Sequence, residues 1–303
     1  MVKSKILYIA GYSRSGSTVL DIILGSHKNL FGTGELVYLF DDWLNETRLC
    51  TCGKSYKTCD FWKDLALPEG ITFAEAISVI RAVESRSAVE NLLAGKIPVG
   101  ITDRYNLIQS TLYGDIISRS GKSIVIDSSK SSRDMAGRFY ALQQYTDLDV
   151  YVVHLVKNGL SIVKSYVEKG RNWAMEGHAK NDRFLAARSS VGWRLANSLA
   201  QRLGDKMPPQ KYLPLQYESL VKEPEDFLNK IGSFIGEDFS TVIDTIKQNR
   251  PFLAGHNVGG NRLRLEKEIR LLPAASVRKI EIDIISKLTF KVIAGKLNKR
   301  LGY

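Results

Sequence analysis

A glycine-bounded turn near the start of the chain has the residue types of an anion-binding loop. Residues 11–18 (GYSRSGST) follow the apolar run 6–10 (ILYIA) and precede the largely apolar run 19–24 (VLDIIL). A turn between a strand and a helix directs backbone N–H groups toward one point, and the helix N-terminus adds partial positive charge there. Arg14 adds a full positive charge inside the turn. The segment therefore predicts a site for a phosphate-like group.

The loop differs from that of a nucleotide kinase at one position. Its glycines have the Walker spacing G-x-x-x-x-G-K-[ST], but Ser17 occupies the lysine position. A nucleoside triphosphate kinase uses that lysine on the β- and γ-phosphates of its nucleotide. A P-loop nucleotide kinase, which would need Mg²⁺ and ATP, is therefore a less favoured alternative.

A second pair of polar residues follows another predicted strand. Lys157 comes directly after the apolar run 150–156, and Ser165 lies eight positions later, about two helical turns along. A cation at a strand end and a hydroxyl on the next helix can hold one phosphate from two sides. The pair is weak evidence by itself, because a mid-helix serine usually bonds its own backbone.

Together with the loop, this pair resembles the sulfotransferase family, which transfers sulfuryl groups from 3′-phosphoadenosine 5′-phosphosulfate (PAPS). The resemblance spans Tyr8 to about Arg264. It implies that the loop holds the 5′-phosphosulfate and that Lys157 and Ser165 hold the 3′-phosphate. The family more often has arginine at the first of these positions, and lysine keeps the charge but loses bidentate geometry. That change is the only sequence hint of a further alternative, a non-catalytic nucleotide-binding protein of the same fold.

The resemblance assigns further segments to the cofactor. Tyr217 opens a segment (YESLVKEP) similar to the family's Y-E-D-L-V-x-x-P and is expected near the nucleotide. Residues 256–264 (HNVGGNRLR) are similar to a late H-x-x-x-G-N-x-x-R segment of bacterial members, which would close over the cofactor. Lys169 corresponds to a basic contact of the related tyrosylprotein sulfotransferases. The full set implied to bind PAPS is Arg14, Ser15, Gly16, Ser17, Thr18, Lys157, Ser165, Lys169, Tyr217, Asn261 and Arg264.

The resemblance also implies a catalytic base. Glu35 lies 21 positions after Arg14 and matches the proposed catalytic glutamate of tyrosylprotein sulfotransferases. It would take the proton of an acceptor hydroxyl or amine as that group attacks sulfur in line. The structural alternative is that Glu35 stabilises the dipole of a helix predicted at 36–44. His27 is a rival base, although a packed or capping histidine is favoured at that position.

Charge on the transferring group needs cations. Lys130 follows the predicted strand 123–126, at a position where the resembling families carry a lysine or histidine that faces the transferred group. Lys130 and Arg14 would therefore complete the catalytic set with Glu35 through electrostatic stabilisation.

The cysteines are Cys50, Cys52 and Cys59. The spacing C-x-C-G suggests a metal site, but tetrahedral zinc needs four ligands, and nothing in the sequence places a histidine such as His178 nearby. We expect no metal. We interpret the segment as a structural part of the cap, and a Cys52–Cys59 or Cys50–Cys59 disulfide under oxidation is left open.

The elements that must position these residues alternate between strands and helices. Short β-branched or aromatic runs predict buried strands at 6–10, 123–126, 150–156 and 212–216. Helical patterns lie at 18–25, 73–93, 106–118, 135–145, 160–169, 182–203 and 224–235. The alternation predicts an α/β fold, a P-loop-like three-layer αβα domain across 1–303 with a central parallel sheet and a helical cap insertion at about 33–121. Ligands of such sheets lie beyond the carboxyl ends of the strands, where the candidate residues fall.

The stretch 276–303 predicts a basic C-terminal helix. Its apolar residues have helical spacing and are expected to pack on the domain: Ile280, Ile284, Ile285, Leu288 and Val292. Weak contact with a membrane surface is the alternative.

Composition limits the partner classes. The 303 residues carry a net charge of +11, which favours an anionic ligand, an acidic substrate or an anionic surface. Zinc-finger spacing and RNA-binding signatures are absent from the sequence, so we expect no nucleic acid partner. The lack of a secretory signal, a spanning apolar run and a disulfide framework predicts a cytoplasmic protein. The acceptor is left open as a small molecule, glycan, lipid or peptide.

Overall fold

A five-stranded parallel sheet lies at the centre of the computed structural model, which describes residues 4–131, 135–169, 184–266, 268–271 and 280–303. The strands are β1 (Lys5–Ala10), β2 (Leu30–Gly32), β3 (Ile124–Asp127), β4 (Asp149–Val156) and β5 (Tyr212–Gln216). Their order across the sheet is β2-β3-β1-β4-β5. Tyr8 in β1 is in register with Asp127 in β3 and Val152 in β4. The carboxyl ends of the central strands therefore meet at one edge.

The side chains of β1 alternate between two apolar layers. Ile6 and Tyr8 pack into one core, and Leu7 and Ile9 pack into the core on the opposite face. All four residues are fully buried. A parallel strand covered on both faces needs this continuous apolar sequence, because helices pack on each side of the sheet.

Helices surround the sheet. Within the described residues they are α1 (Ser17–Gly25), α2 (Leu39–Asn45), α3 (Phe73–Glu84), α4 (Val89–Leu93), α5 (Val99–Ser120), α6 (Arg138–Tyr145), α7 (Gly159–Lys169), α8 (Leu185–Gly204), α9 (Tyr217–Lys222), α10 (Pro224–Ile235), α11 (Ser240–Lys247) and α12 (Ile284–Arg300). Short 3₁₀ turns occur at Leu36–Tyr38, Arg86–Ala88, Pro209–Lys211 and Arg262–Leu265. None of the helices in these ranges is long and apolar enough to cross a membrane.

The α/β class and the four predicted strands are confirmed, and one strand was missed. The additional strand, β2, has three residues and pairs with β3 at the sheet edge. The predicted cap region, residues 33–121, contains α2 to α5 and has none of the five strands. The limits of the single domain stay a prediction.

The prediction for the C-terminal helix is wrong about which face packs. Ile284, Ile285, Leu288 and Val292 are exposed, and Val292 keeps 85% of its surface. The buried face of α12 instead carries Phe290, Ala294 and Leu297, which join a core with residues of α7 and α8. Two contacts explain why this face is buried. Phe290 packs edge-on against Trp193, with ring centroids 5.9 Å apart, and the Asn298 side chain accepts a 3.0 Å hydrogen bond from the Gly159 N–H.

Candidate active site

The turn between β1 and α1 is shaped by two glycines with positive φ. Gly16 caps α1 with φ of +93°, and a Cβ there would lie 2.1 Å from Cε2 of Tyr217. Gly11 has φ of +136°, and a Cβ there would lie 2.4 Å from the carbonyl oxygen of Leu155. The first N–H groups of a helix have no partner inside the helix. The turn can therefore present donors of α1 to an anion.

A cavity of about 160 Å³ opens at this helix N-terminus. Sites for drug-sized ligands usually measure about 300–1,000 Å³, so this cavity suits a phosphate- or sulfate-sized group rather than a whole nucleotide. Its lining brings together residues that the sequence assigned separately: Arg14, Gly16, Ser17, Thr18, Lys130, Ser165 and Asn261. Two full positive charges and a helix N-terminus thus face one small space.

Arg14 joins the turn to α7. Its Nη1 donates a 3.0 Å hydrogen bond to the Ser165 hydroxyl, and its guanidinium lies 4.6 Å from the centroid of the Tyr166 ring. The backbone of Arg14 is left-handed, with φ of 67°. The sequence assigned Arg14 to the 5′ end of the donor and Ser165 to its 3′-phosphate. Their direct contact makes the two predicted subsites neighbours.

Lys157 and Tyr217 form a second cationic group beside the turn. The Lys157 Nζ lies 4.2 Å from the centroid of the Tyr217 ring, and the edge of the same ring packs over Gly16. Burial raises the pKa of the Tyr217 hydroxyl. Lys169 ends α7, and its side chain lies outside the described structure.

Lys130, which lines the cavity, forms a buried ion pair with Glu35, which lies behind it and is not part of the lining. The Lys130 ammonium donates to Glu35 Oε1, and the two side chains keep 7% and 3% of their surfaces. Glu35 Oε1 and the Thr18 hydroxyl both lie within 4 Å of the position that a Cβ on Gly260 would occupy. The Glu35 side chain makes no capping hydrogen bond to the 3₁₀ turn that follows it. The contact that the structure gives Glu35 Oε1 is therefore the ion pair with Lys130 and not a helix cap.

A buried network that the sequence analysis missed fixes the chain around Lys130. Asp127 accepts hydrogen bonds from the Ser129 N–H at 2.9 Å, from the Arg138 Nε at 2.9 Å and from the Tyr113 hydroxyl at 2.7 Å. Arg138 also pairs with Glu84 at 2.6 Å. Lys130 itself has a left-handed backbone, with φ of 67°, and its carbonyl accepts from the Tyr8 hydroxyl at 2.5 Å. The buried charges thus hold a strained residue in place.

Asp21 is a second group that the sequence analysis missed. Its carboxylate accepts hydrogen bonds from the Gly34 N–H at 3.1 Å and the Asn257 side chain at 2.7 Å. Full burial raises the pKa of Asp21 to about 7, against the lowering effect of these hydrogen bonds. An acidic residue inside the apolar run 19–24 is the sequence signal that could have found it. Asp21 positions the backbone directly before Glu35.

The late segment covers the cavity from the other side. The Val258 N–H and carbonyl bond the Thr33 carbonyl and the Glu35 N–H at 2.7 and 2.6 Å. The Asn261 N–H donates a 3.2 Å hydrogen bond to the Thr18 hydroxyl. Arg264 is not brought to the cavity lining, since its guanidinium donates to the carbonyls of Asn257 and Leu49. It holds the late segment against the cap.

Two histidines have positions that bear on the predictions. His27 follows α1, and its ring bonds the carbonyl of Asp238 and accepts from the Asn29 N–H, as a packed histidine does. His256 lies beside Cys50, Cys52 and Cys59, so the cluster has a fourth possible metal ligand. The prediction of no metal rested on the lack of such a histidine, and that reason was wrong. His178 lies outside the described residues.

Comparisons with known proteins agree with this geometry. The family model described as a sulfotransferase domain matches residues 4–252. The solved sulfotransferase domain of the Synechococcus PCC 7002 olefin synthase is 21% identical, with 98% of this chain and 96% of that chain covered and a TM-score of 0.56. The sulfotransferase domain of the curacin biosynthetic pathway is 16% identical, with 97% of each chain covered and a TM-score of 0.54. At these identities the structural likeness shows the fold alone. No curated protein matches the chain.

Proposed function

Since the chain belongs to the sulfotransferase domain family and is a sulfotransferase, we propose that it moves the sulfuryl group of PAPS in line to a hydroxyl or amine of its acceptor. The observation that carries this proposal is the meeting of Arg14, Lys130 and the α1 N-terminus at one small cavity, with Glu35 beside Lys130. The cavity has the size and charge for the phosphosulfate end of the donor substrate.

The donor would lie across the turn and α7. The α1 N–H groups and Arg14 would bind the 5′-phosphosulfate, while Ser165 and Lys157 would bind the 3′-phosphate. The contact between Arg14 and Ser165 supports this placement. The 5′-phosphosulfate and the 3′-phosphate are carried by one ribose, so the residues that bind them must lie close together. Tyr217 would pack beside the nucleotide, since its ring already spans Gly16 and Lys157.

Glu35 and Lys130 would have different roles in the transfer step. Glu35 takes the proton of the acceptor while the acceptor oxygen or nitrogen forms its bond to sulfur. The bond between sulfur and the bridging phosphate oxygen breaks, and its electron pair stays on that oxygen. Lys130 and Arg14 stabilise the negative charge that develops there. A carboxylate has about four lone-pair positions, so the ion pair leaves Glu35 able to accept a proton.

Donor recognition is tested by calorimetry with 3′,5′-adenosine bisphosphate, adenosine 5′-monophosphate and ATP, each with and without Mg²⁺. We expect Mg²⁺-independent binding of the bisphosphate in preference to the other two. Lys157→Ala should reduce the preference for the bisphosphate over the monophosphate roughly 10- to 100-fold, as expected for a lost charge-assisted contact.

Lys164→Ala is the matched control, since Lys164 lies on α7, the helix that follows Lys157, in a partly exposed pair with Glu168. It should leave the preference unchanged. Preference of the wild type for ATP with Mg²⁺ would overturn the proposal and favour a kinase. An equal loss of both adenosine ligands in Lys157→Ala would refute the role of Lys157 alone.

A further inference from the structure

Four metal-binding donor atoms from two distant parts of the chain meet at the edge of the cap. The sulfur atoms of Cys50, Cys52 and Cys59 and one ring nitrogen of His256 all lie within 4.8 Å of one another. The Cys52 and Cys59 sulfurs are 3.6 Å apart, and the His256 Nδ1 lies 3.6 Å from the Cys50 sulfur and 3.2 Å from the Cys59 sulfur. The cluster is separate from the anion-binding cavity, whose lining contains none of these residues.

With Zn–S bonds of about 2.3 Å and Zn–N bonds of about 2.0–2.1 Å, neighbouring ligand atoms of a tetrahedral zinc site lie roughly 3.5–3.8 Å apart. Two of the separations, both 3.6 Å, have this length, the one between His256 Nδ1 and the Cys59 sulfur is shorter at 3.2 Å, and the remaining pairs lie within 4.8 Å. Small side-chain adjustments would bring all four atoms to tetrahedral spacing. A disulfide would bring two sulfurs to about 2.05 Å. We propose that Cys50, Cys52, Cys59 and the Nδ1 of His256 bind one Zn²⁺ ion in a closed structural site. Three thiols and one neutral imidazole are a common ligand set of such sites.

Backbone turns hold the cysteines close together. The Cys50 N–H donates a 2.9 Å hydrogen bond to the Lys54 carbonyl, and the Cys59 N–H donates one of 2.8 Å to the Ser55 carbonyl. These turns place the three sulfurs near one another before a metal binds. Binding of Zn²⁺ would release the three thiol protons to solvent and leave the site with one net negative charge.

Other contacts already orient the histidine. The His256 ring is stacked on Phe61, with centroids 5.4 Å apart and an interplanar angle of 14°. The Trp62 indole N–H donates a 2.8 Å hydrogen bond to the His256 carbonyl. Supporting contacts of this kind fix the orientation of a ligand before the metal binds. Both contacts come from residues 59–62 (CDFW), so this part of the cysteine segment supplies one ligand and also orients another.

The site would act as a clip between the cap and the late segment. His256 directly precedes Asn257 and Val258, which bond Asp21 and the backbone of Glu35. With four protein ligands the ion has no open position for a substrate, so its role is structural. Zinc would hold the late segment in the register that covers the cavity. This inference does not depend on the donor or acceptor of the reaction.

Metal content of the full-length protein tests the proposal directly. Protein purified under reducing conditions without chelators should contain about one zinc per chain by inductively coupled plasma mass spectrometry. Exchange of zinc for Co²⁺ should give the ligand-field and thiolate-to-metal absorption bands of a tetrahedral sulfur-rich site. A chain that contains no zinc even after refolding with Zn²⁺ would overturn the proposal, as would a chain with a native disulfide or with iron as its only metal.

Variants then assign the ligands. His256→Ala should weaken zinc affinity by on the order of 10²-fold in a chelator competition, whereas His256→Cys should keep zinc and guard against simple misfolding. Asp60→Asn is the matched control, because Asp60 is an exposed neighbour of Cys59 that pairs with Lys54 and lies outside the proposed set. Full zinc retention in His256→Ala, or loss in Asp60→Asn, would contradict the assignment.

Discussion

The Glu35–Lys130 pair allows a prediction that separates catalysis from stability. Lys130→Met removes the cation and leaves the Glu35 carboxylate in a site where its side chain is 3% exposed. Removing one partner of a buried ion pair typically costs about 3–5 kcal/mol. At about 2 °C per kcal/mol for a chain of this size, the thermal midpoint should fall by roughly 6–10 °C.

The double variant Glu35→Gln with Lys130→Met removes both charges. It should recover most of the lost stability, because no uncompensated charge stays buried. Activity should not recover. If Glu35 is the base and Lys130 stabilises the leaving oxygen, each single variant lowers turnover by roughly 10²-fold or more, and the double variant stays at least as low.

Stability is measured by thermal unfolding, for the midpoint, and by urea unfolding, for the free energy, of all four proteins. Turnover is measured as release of 3′,5′-adenosine bisphosphate from PAPS, with the best acceptor from a screen of alcohols, phenols and amines. Lys247→Met is the control, since its pair with Glu225 has both side chains more than half exposed and should contribute no more than about 1 kcal/mol. A double variant that regains activity along with stability would refute the catalytic roles and leave a purely structural ion pair.

Three further outcomes follow from the geometry. Gly16→Ala should weaken bisphosphate binding more than tenfold in calorimetry, because its Cβ would lie 2.1 Å from the Tyr217 ring. Gly236→Ala is the control: it has comparable backbone strain but open space around its Cβ, so it should bind the bisphosphate normally. Burial raises the Asp21 pKa to about 7 from 3.8, so the folded state holds a proton that the unfolded state has lost, and stability falls as pH rises through this window, by up to about 1.4 kcal/mol per unit. Urea unfolding from pH 5 to 7.5 should therefore show the wild type losing stability relative to Asp21→Asn as pH rises, and a constant difference would contradict the raised pKa. Burial lowers the His154 pKa to about 4 from 6.5, so its effect on stability has the opposite pH dependence. The wild type should lose stability relative to His154→Gln as pH falls from about 6.5, and a difference that does not change with pH would show that His154 does not titrate in this way.

The strands were predictable because the central strands are mostly apolar. β1 and β4 are covered on both faces, so their sequences are apolar apart from their first residues and the buried His154 in β4. β2 has only three residues between Asn29 and Thr33, and a run this short cannot be distinguished from a loop by its pattern. On α12 the helical spacing of the larger aliphatic residues predicted the wrong face, since Phe290 and an anchoring Asn298 decide the packing.

The site was predictable where the chemistry lies in continuous motifs. The sequence pointed to the turn at residues 11–18, to Glu35 and to Lys130; the fold brings Lys130 to the turn and pairs it with Glu35, and their catalytic roles stay a prediction. The partners of Asp21, Arg138 and His256 could not be predicted, because the fold determines them. Asn257 bonds Asp21 across 236 positions, and the Cys59 sulfur meets His256 across 197. Contacts between residues so far apart in the chain cannot be predicted from the pattern of a single sequence.

The bridging of residues 33–35 by residue 258 has a consequence for the order in which the protein folds. All five strands precede residue 217, and the match to the family model ends at residue 252. The hydrogen bond from Asn261 to Thr18 joins residues 243 positions apart. Because a chain leaves the ribosome N-terminus first, the sheet can form while the anion-binding cavity still lacks one wall. The cavity thus closes only after the sheet is complete, and a chain that stops before residue 257 would have all five strands but lack the wall that Val258 and Asn261 provide.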